Sequence, residues 1–372
     1  MKILLMVHAL TGGGAERVAA CWANGLADRG NQVAVMTNLN LKQTYKTSPA
    51  VQLLHKETYT LKSGSIIERL KAAILNPLKA LNQLRRLLRQ ERPDAIVNVL
   101  YQNQYMLLLA RILAGVNCPI IMTDHNAYER PAGHEFGWKQ WKNKFIDNRL
   151  FDRVTVLTER DKDILLGKGI KNVDVLYNPL FLTPTDSIPQ KEKILLACGR
   201  INAWQVKGFD LLMKAWSIAG PAHPDWKLRV VGSGRPETIG RLKELASEGS
   251  SNLEFADYTA DIVSEYRQAS IFVLSSRYEG WGLVMVEAMS QGCAPVACDF
   301  FGRQREAVRD GENGLICEPD NVQMLAEKIS LLMDDDTLRK RIQHQAPESV
   351  KKYIQETTAL KLEQIINSAH RK

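Results

Sequence analysis

No stretch of this chain approaches the ~18 uninterrupted apolar residues that a membrane-spanning helix requires. The apolar opening "MKILLMVHAL" is broken by His8, runs into glycines and offers no small-residue cleavage site, so it does not read as a secretory leader. The six cysteines (Cys21, Cys118, Cys198, Cys293, Cys298, Cys317) form no C-x-x-C pair. That spacing argues against a metal site, and the apolar surroundings suit reduced, buried thiols of a cytoplasmic protein. No Lys-Ser/Thr follows the first glycine cluster, which excludes a Walker A loop. No Asp-x-Asp follows a predicted strand. Asp334 and Asp336 in "MDDDT" fall at a predicted helix end and read as a helix stop and N-cap. A divalent metal holding a diphosphate is therefore not expected, nor is any other cofactor. Low-complexity segments and repeats of solenoid length are absent too.

What is present is an ordinary globular composition over 372 residues, 45% hydrophobic and 24% charged, which suits two domains each able to bury a core. The net charge of +8 is unevenly placed. Residues 1–190 hold 25 Lys+Arg against 16 Asp+Glu, while the remainder holds 24 against 25. The basic half points to an anionic partner: a membrane surface, a phosphorylated acceptor or nucleic acid. Nucleic acid is disfavoured, because no helix-turn-helix, zinc or aromatic-sheet signature accompanies the charge.

Short apolar runs alternate with helical periodicity along both halves. In the first, "KILLMVHA", "QVAVMT", "DAIVNVL", "PIIMTDH" and "RVTVLTE" read as strands. Helices are expected over about 18–28, 66–90, "YMLLLARILAG" and "WKQWKNKFIDNRLF". Pro179, Pro184 and Pro189 then break the rhythm and mark a linker. The alternation restarts with "KILLACG" and continues through "KLRVVGSG", "LEFAD", "IFVLSS", "APVACD" and "GLICEP". A polar helix is expected near 237–247, and others over "FDLLMKAWSIA", "DIVSEYRQA" and "NVQMLAEKISLLM". This order predicts an α/β fold of two doubly wound, Rossmann-like domains facing a cleft, with ligands at the carboxyl ends of strands. The expected domains are 1–180 and 181–350, divided at the proline-rich linker.

The candidate site residues lie just after predicted strands. "TGGGAER" places Gly13 and Gly14 where backbone can approach a phosphate at a helix N-terminus. The same residues can also form a tight turn without a ligand, with Glu16 and Arg17 merely first-turn residues. His125, in "MTDHNAYERP", is placed to hydrogen-bond a substrate hydroxyl or to stabilise charge; Asn126 and Glu129 are weaker candidates beside it. Arg200 and Lys207, in "CGRINAWQVKGFD", put two cations on one loop, which suits a diphosphate as well as a solvated surface. Gly232 and Gly234 follow the next strand. In "SSRYEGWGLVMVEAMSQG", Gly280 and Gly282 break the backbone between Glu279 and Glu287, eight positions apart. One carboxylate then precedes the helix and the other lies inside it, where both can accept hydroxyl hydrogen bonds. A capped surface helix is the plainer alternative.

Together these segments resemble the family-4 glycosyltransferases of GT-B architecture. The resemblance rests on "GGGAER" (Gly12–Arg17), Gly199–Arg200, Lys207–Gly208, Gly232–Gly234, the Glu279–Glu287 pair with its surroundings, and "GENGLICEP" (Gly311–Pro319). It implies a retaining, metal-independent hexosyltransferase using a nucleotide-activated sugar. Arg200 and Lys207 would bind the diphosphate, Glu287 the ribose and Glu279 the donor sugar, with His125 near that sugar. The loop with Gly13 and Gly14 would close on the phosphates. The donor set then comprises Gly13, Gly14, Gly232, Gly234, Tyr258, Gly280, Trp281, Gly282, Leu283 and Glu287; Glu16, Arg17 and Asn126 are assigned to the acceptor. Residues 351–372 would form the helix that crosses back to the first domain in this family. The chain departs from the common Phe-Pro or Phe-Gly with Trp281-Gly282 beside the donor hydroxyls, which leaves the sugar open.

A UDP-sugar is the expected donor and GDP-mannose its rival. A lipid-diphosphate-linked glycan of cell-surface polysaccharide synthesis is the expected acceptor. Arg69, Lys71, Lys79, Arg85, Arg86, Arg89 and Arg92 among leucines, with Trp138, Trp141 and three lysines in "WKQWKNKF", suit an anionic bilayer surface. The expected location is peripheral, on the inner face of the cell membrane; a solvated basic face is the alternative. A phosphorylase or nucleotide-sugar epimerase on the same architecture, and a non-enzymatic nucleotide-sugar sensor, are the competing functions.

Overall fold

The structure, a computed structural model, describes residues 1–38, 43–55, 66–246 and 252–370, without the side chains of 66–75. Of the expected features, the side chains of Arg69 and Lys71 and residue Ser247 lie outside the described residues. The chain divides into two units. The first comprises Met1–His125, Phe136–Pro179 and Gln355–Lys372; the second comprises Asn126–Glu135 and Leu180–Ile354.

The first unit is built on β1 (Lys2–Val7), α1 (Gly14–Asp28), β2 (Gln32–Thr37), β3 (Val51–His55), α2 (Ile66–Glu91), β4 (Ala95–Val99), α3 (Gln104–Ala114), β5 (Ile120–Thr123), α4 (Trp138–Phe145), β6 (Arg153–Val156), α5 (Glu159–Gly167) and β7 (Val173–Val175). Its seven strands form one sheet in the order β3-β2-β1-β4-β5-β6-β7, every adjacent pair parallel. The strands read as unbroken apolar runs because both faces are covered, and Ile3, Leu5, Val35, Ile96, Ile121 and Val154 are fully buried. Each such side chain is worth about 1.5–3 kcal/mol relative to exposure.

The edge strands β3 and β7 and the helix α5 escape the periodicity analysis: "VQLLH" and "VDV" are too short and too polar to stand out. α1 starts at Gly14 rather than near Val18, because extended Gly13 serves as N-cap and Gly14 takes the first helical position. α4 ends at Phe145 instead of near Phe151, with a 3-10 turn at Asp147–Leu150.

The second unit contains β8 (Glu192–Cys198), α6 (Trp204–Lys207), α7 (Phe209–Ala219), β9 (Lys227–Val231), α8 (Pro236–Leu245), β10 (Leu253–Ala256), α9 (Ile262–Gln268), β11 (Ala269–Leu274), α10 (Leu283–Ser290), β12 (Ala294–Cys298), β13 (Leu315–Cys317), α11 (Val322–Asp334) and α12 (Asp336–Ser349). Its sheet is again all parallel, in the order β10-β9-β8-β11-β12-β13. Leu195, Leu228, Ile271 and Val296 meet Leu212, Met213, Trp216 and Ile329 in one core. The aspartates of "MDDDT" serve the helix ends: Asp335 caps α12 by accepting from the Leu338 amide at 2.8 Å, and Asp336 pairs with Lys340 at 2.7 Å.

The last helix, α13 (Gln355–Ala369), packs on α1 in the first unit. Glu363 accepts from Arg29 and Asn31 at 2.8 Å each, and Gln355 accepts from the Cys21 thiol at 3.0 Å. All six cysteines are free and buried, and burial pushes the thiols of Cys21, Cys118 and Cys293 up to about 12, 11 and 11. Among the described residues no helix is long and apolar enough to cross a membrane.

Candidate active site

In each sheet the strand order reverses direction once, between β1 and β4 and between β8 and β11. Loops diverge there at the carboxyl ends, which opens a crevice in a doubly wound sheet.

In the second unit this point joins two of the predicted segments. Lys207, at the end of α6, lies 2.5 Å from Oε1 of Glu279, on the loop after β11. The Ser276 hydroxyl donates to the same carboxylate oxygen at 2.8 Å, and the Ser275 hydroxyl donates to the Lys207 carbonyl at 2.9 Å. The pair is half-buried, with 20% of the lysine and 16% of the glutamate side chain exposed. Gly208 makes this approach possible. Its φ is +62°, and a Cβ there would lie 1.9 Å from the Ser275 carbonyl oxygen.

Arg277, which the motif analysis did not single out, clips these loops together. Its guanidinium forks onto both Asp210 oxygens at 2.8 Å, donates to the Gln205 carbonyl at 2.6 Å and reaches Asp320 at 2.7 Å. Its own amide donates to the Val206 carbonyl at 2.9 Å. The loops after β8, β11 and β13 thus meet on one planar cation, whose pKa the Asp210 hydrogen bonds raise further. Nothing in "SSRYEG" distinguishes this arginine from a surface residue.

The loops after β8 and β9 are in backbone contact. Gly199 donates to the Val231 carbonyl at 3.0 Å, and a Cβ on Gly232 would lie 1.8 Å from the Gly199 oxygen. A Cβ on Gly234 would lie 2.8 Å from Ile201. The Arg200 side chain is exposed and has no ion-pair partner among the described residues, whereas Lys207 has one. Tyr258 is 70% exposed on the loop after β10.

At α10 the outcome is mixed. Gly282, with φ at +77°, is the N-cap, and no side chain caps the helix. Glu287 is inside the helix, but only 3% exposed, and its Oε2 accepts from the phenol of Tyr266 at 3.1 Å. Tyr266 is a second residue the sequence does not betray; burial pushes its phenol well above the ordinary range, so it stays a donor. The Trp281 indole, expected beside donor hydroxyls, is packed into the second unit. It is 4% exposed and stands edge-on to Tyr353, ring centroids 5.0 Å apart.

A cavity of about 460 Å³ opens beside β12 and β13, lined by Asp299, Phe301, Cys317, Glu318, Met324 and Lys328 among others. None of the predicted site residues lines it.

Within the first unit, Gly13 leaves room for the Glu16 carboxylate to fold over the start of α1, where no side chain caps the helix. His125 is half-buried at the end of β5. Its Nδ1 donates to the Asn178 oxygen at 2.8 Å, so Nε2, 3.1 Å from the Thr123 hydroxyl, is the accepting nitrogen. The Trp22 ring stands 5.5 Å away. Burial is the main cause that lowers the imidazole pKa, which keeps the ring neutral near pH 7. Beside it, Asp124 is held in a buried ion pair with Lys144 at 2.5 Å. Asn126, expected beside His125 in the first domain, instead opens the segment Asn126–Glu135 that clusters with the second unit. There Glu129 lies 3.6 Å from the fully buried Arg303.

Residues 12–182 match the model of the family described as Glycosyltransferase Family 4, and residues 184–349 that described as Glycosyl transferases group 1. A Haemophilus influenzae protein named as an uncharacterized glycosyltransferase is 28% identical over 88% of each chain. A Campylobacter jejuni protein is 24% identical over 95% of this chain and 94% of its own. It is named GalNAc-alpha-(1->4)-GalNAc-alpha-(1->3)-diNAcBac-PP-undecaprenol alpha-1,4-N-acetyl-D-galactosaminyltransferase. The solved structure of the lipopolysaccharide outer core galactosyltransferase WaaB in its apo form shares the fold, with a TM-score of 0.76 at 16% identity over 99% of both chains.

Proposed function

The chain belongs to the family-4 glycosyltransferases, enzymes of GT-B architecture, and from that premise we propose that it transfers a hexosyl unit, with retention, from a UDP-sugar to a lipid-diphosphate-linked glycan in cell-surface polysaccharide synthesis. The observation that carries the donor side is the Lys207–Glu279 pair at the reversal of the second sheet. Paired at 2.5 Å, each neutralises the other. A bound sugar diphosphate engages both: Lys207 takes the phosphate charge, and Glu279, released, accepts from sugar hydroxyls.

Breaking the bond between the sugar's anomeric carbon and the phosphate oxygen leaves negative charge on the departing diphosphate. Lys207 and the exposed Arg200 stabilise that charge more in the transition state than in the ground state, and only such differential binding accelerates the step. The acceptor hydroxyl attacks on the face the diphosphate leaves, and its proton passes to a phosphate oxygen. The uncapped start of α10 presents backbone N–H groups to phosphates, while the N–H groups of Gly199 and Gly232 donate to the Val231 and Ala256 carbonyls and hold the neighbouring loops together. Glu287, oriented by Tyr266, keeps acceptor capacity for ribose hydroxyls. Within the first unit, His125 carries a neutral ring held by Asn178 and Thr123. These groups supply charge stabilisation without a divalent ion, so activity is expected to survive chelation.

The acceptor is assigned to the first unit, whose basic excess suits a phosphorylated substrate, and the enzyme to the inner membrane face, where lipid-linked glycans are extended. The Campylobacter relative, named for an undecaprenol-diphosphate glycan, supports this class. Incubation with a panel of UDP- and GDP-sugars plus lipid-linked acceptors, followed by NMR of the anomeric proton, tests the reading. Turnover of a UDP-sugar with inversion overturns the mechanism. Isomerised sugar from donor alone, or sugar phosphate formed with free phosphate, overturns the reaction class.

A further inference from the structure

The first unit carries a contiguous apolar face turned to solvent. On α3, Tyr105, Leu109, Ile112 and Leu113 are 51%, 46%, 71% and 43% exposed, while Gln104, Leu107, Ala110 and Ala114 of the same helix are buried. The exposed residues recur at i, i+4, i+7 and i+8, a single stripe, yet it is the side that ordinarily holds charge. α4 adjoins this helix. The Gln104 amide donates to Asn143 at 3.1 Å and to Asp147 at 2.8 Å, and the Lys142 ammonium sits 4.7 Å over the Tyr105 ring. Trp138 and Trp141, 70% and 41% exposed, stack on each other with ring centroids 5.3 Å apart. Isolated exposed apolar residues are unremarkable in soluble proteins, but a continuous run over two helices marks an interaction surface.

The charges around the face select its occupant. α3 holds one charged side chain, Arg111, and α4 holds three lysines and no acid, Lys144 being buried in its pair with Asp124. Two carboxylates pair with these helices: Asp147, 2% exposed, with Lys142 at 2.7 Å, and Asp152, 40% exposed, with Arg111 at 2.8 Å. Arg89 of α2 lies at the end of α3, donating to the carbonyls of Leu113 and Ala114, and Arg149 is exposed just beyond α4. Aliphatic residues at the centre, tryptophans at one end, cations at the rim and no exposed acid on either helix match the layers of a bilayer interface.

We infer that this face docks on a bilayer bearing anionic headgroups, with Leu109 and Ile112 entering the acyl boundary, Trp138 and Trp141 at headgroup depth, and Lys139 and Arg149 on the lipid phosphates. The inference deepens the proposed function and rests on it for a lipid-borne acceptor. It goes beyond that reading in joining the apolar α3 stripe to the α4 tryptophans and leaving out the basic length of α2.

Co-sedimentation of the full-length protein with phosphatidylcholine vesicles, with and without phosphatidylglycerol, tests it. Binding is expected with the anionic vesicles only, weakening as salt rises, with a blue shift of tryptophan emission. Ile112→Glu and Leu109→Glu are each expected to weaken binding by about tenfold or more, and Lys139→Glu with Arg149→Glu comparably. All these positions are exposed, so circular dichroism and calorimetric donor binding should match wild type. Failure of the unmodified protein to bind anionic vesicles at low salt overturns the inference, as does binding that the α3 substitutions leave unchanged. It also falls if the protein dimerises without lipid and Ile112→Glu makes it monomeric, because the face then belongs to a second copy. Vesicle binding without any nucleotide-sugar binding would overturn the proposed function and leave this inference standing.

Discussion

Lys207 and Glu279 stand 72 positions apart in sequence and 2.5 Å apart in space, joined where the loops after β8 and β11 converge. Each is therefore the other's counter-ion, and in the proposed function a sugar diphosphate engages both.

Replacing Lys207 with Ala is expected to lower kcat/KM by about 10²–10³-fold, the cost of losing one charge-stabilising donor. Glu279→Gln should lower it less. The double variant should lose less than the two single losses combined, because the residues interact directly. Steady-state kinetics on the four proteins gives the coupling. Full additivity would show that the pair does not act as one device.

Arg277→Lys keeps the charge but loses the fork onto Asp210. Urea unfolding should show a loss of about 1.5–3 kcal/mol, the range for hydrogen bonds to charged groups. Donor KM should rise with it, since Lys207 and Glu279 lie on the loops that Arg277 ties. Asp210→Asn should shift both quantities in the same direction. Unchanged donor affinity in both variants would remove Arg277 from the site.

Gly208→Ala and Gly232→Ala place a Cβ 1.9 Å and 1.8 Å from backbone oxygens of the neighbouring loop. Both should lower Tm and weaken donor binding, because the oxygens belong to backbone that cannot swing aside. Gly240, inside α8 with nothing within 4 Å of an added Cβ, is the control. Gly240→Ala should raise stability by about 0.5–1 kcal/mol and leave donor affinity alone.

His125 titrates with a lowered pKa in the folded chain, principally through burial. Between that value and its ordinary 6.5 the unfolded chain binds the extra proton and the folded chain does not, so stability falls as pH drops through this window. Above pH 6.5 the group has no such effect. His125→Gln should therefore flatten the acid side of the stability–pH curve, measured by urea unfolding at pH 7.5, 6.5 and 5.5. An unchanged acid limb would mean the imidazole is charged in the folded state or exposed.

Much of the architecture was legible in the order of apolar runs. Val33 to Met36 and Ile271 to Leu274 are buried on both faces, and such runs stay apolar whatever packs on them. The misses have the same origin. β3 and β7 lie at sheet edges, where burial on one side demands less of the sequence. α4 ended early because its lysines and tryptophans continue a helical pattern without marking where the 3-10 turn begins.

The site divides along another line. Gly208, Gly232 and Gly282 were visible because close approach or positive φ admits few other residues, so backbone geometry leaves a mark in composition. Arg277, Tyr266 and the inward turn of Trp281 left none. An arginine that forks onto Asp210 and one that waves in solvent are the same letter, as are a tyrosine that holds Glu287 and a tyrosine in any core. By itself the sequence determined two parallel doubly wound sheets and where glycine had to stand, because local chain geometry and apolar periodicity act over a few residues. Only the tertiary structure decided which charges meet, which carboxylate is buried and which aromatic faces water. Those outcomes depend on contacts between segments tens of residues apart, and no short pattern encodes them.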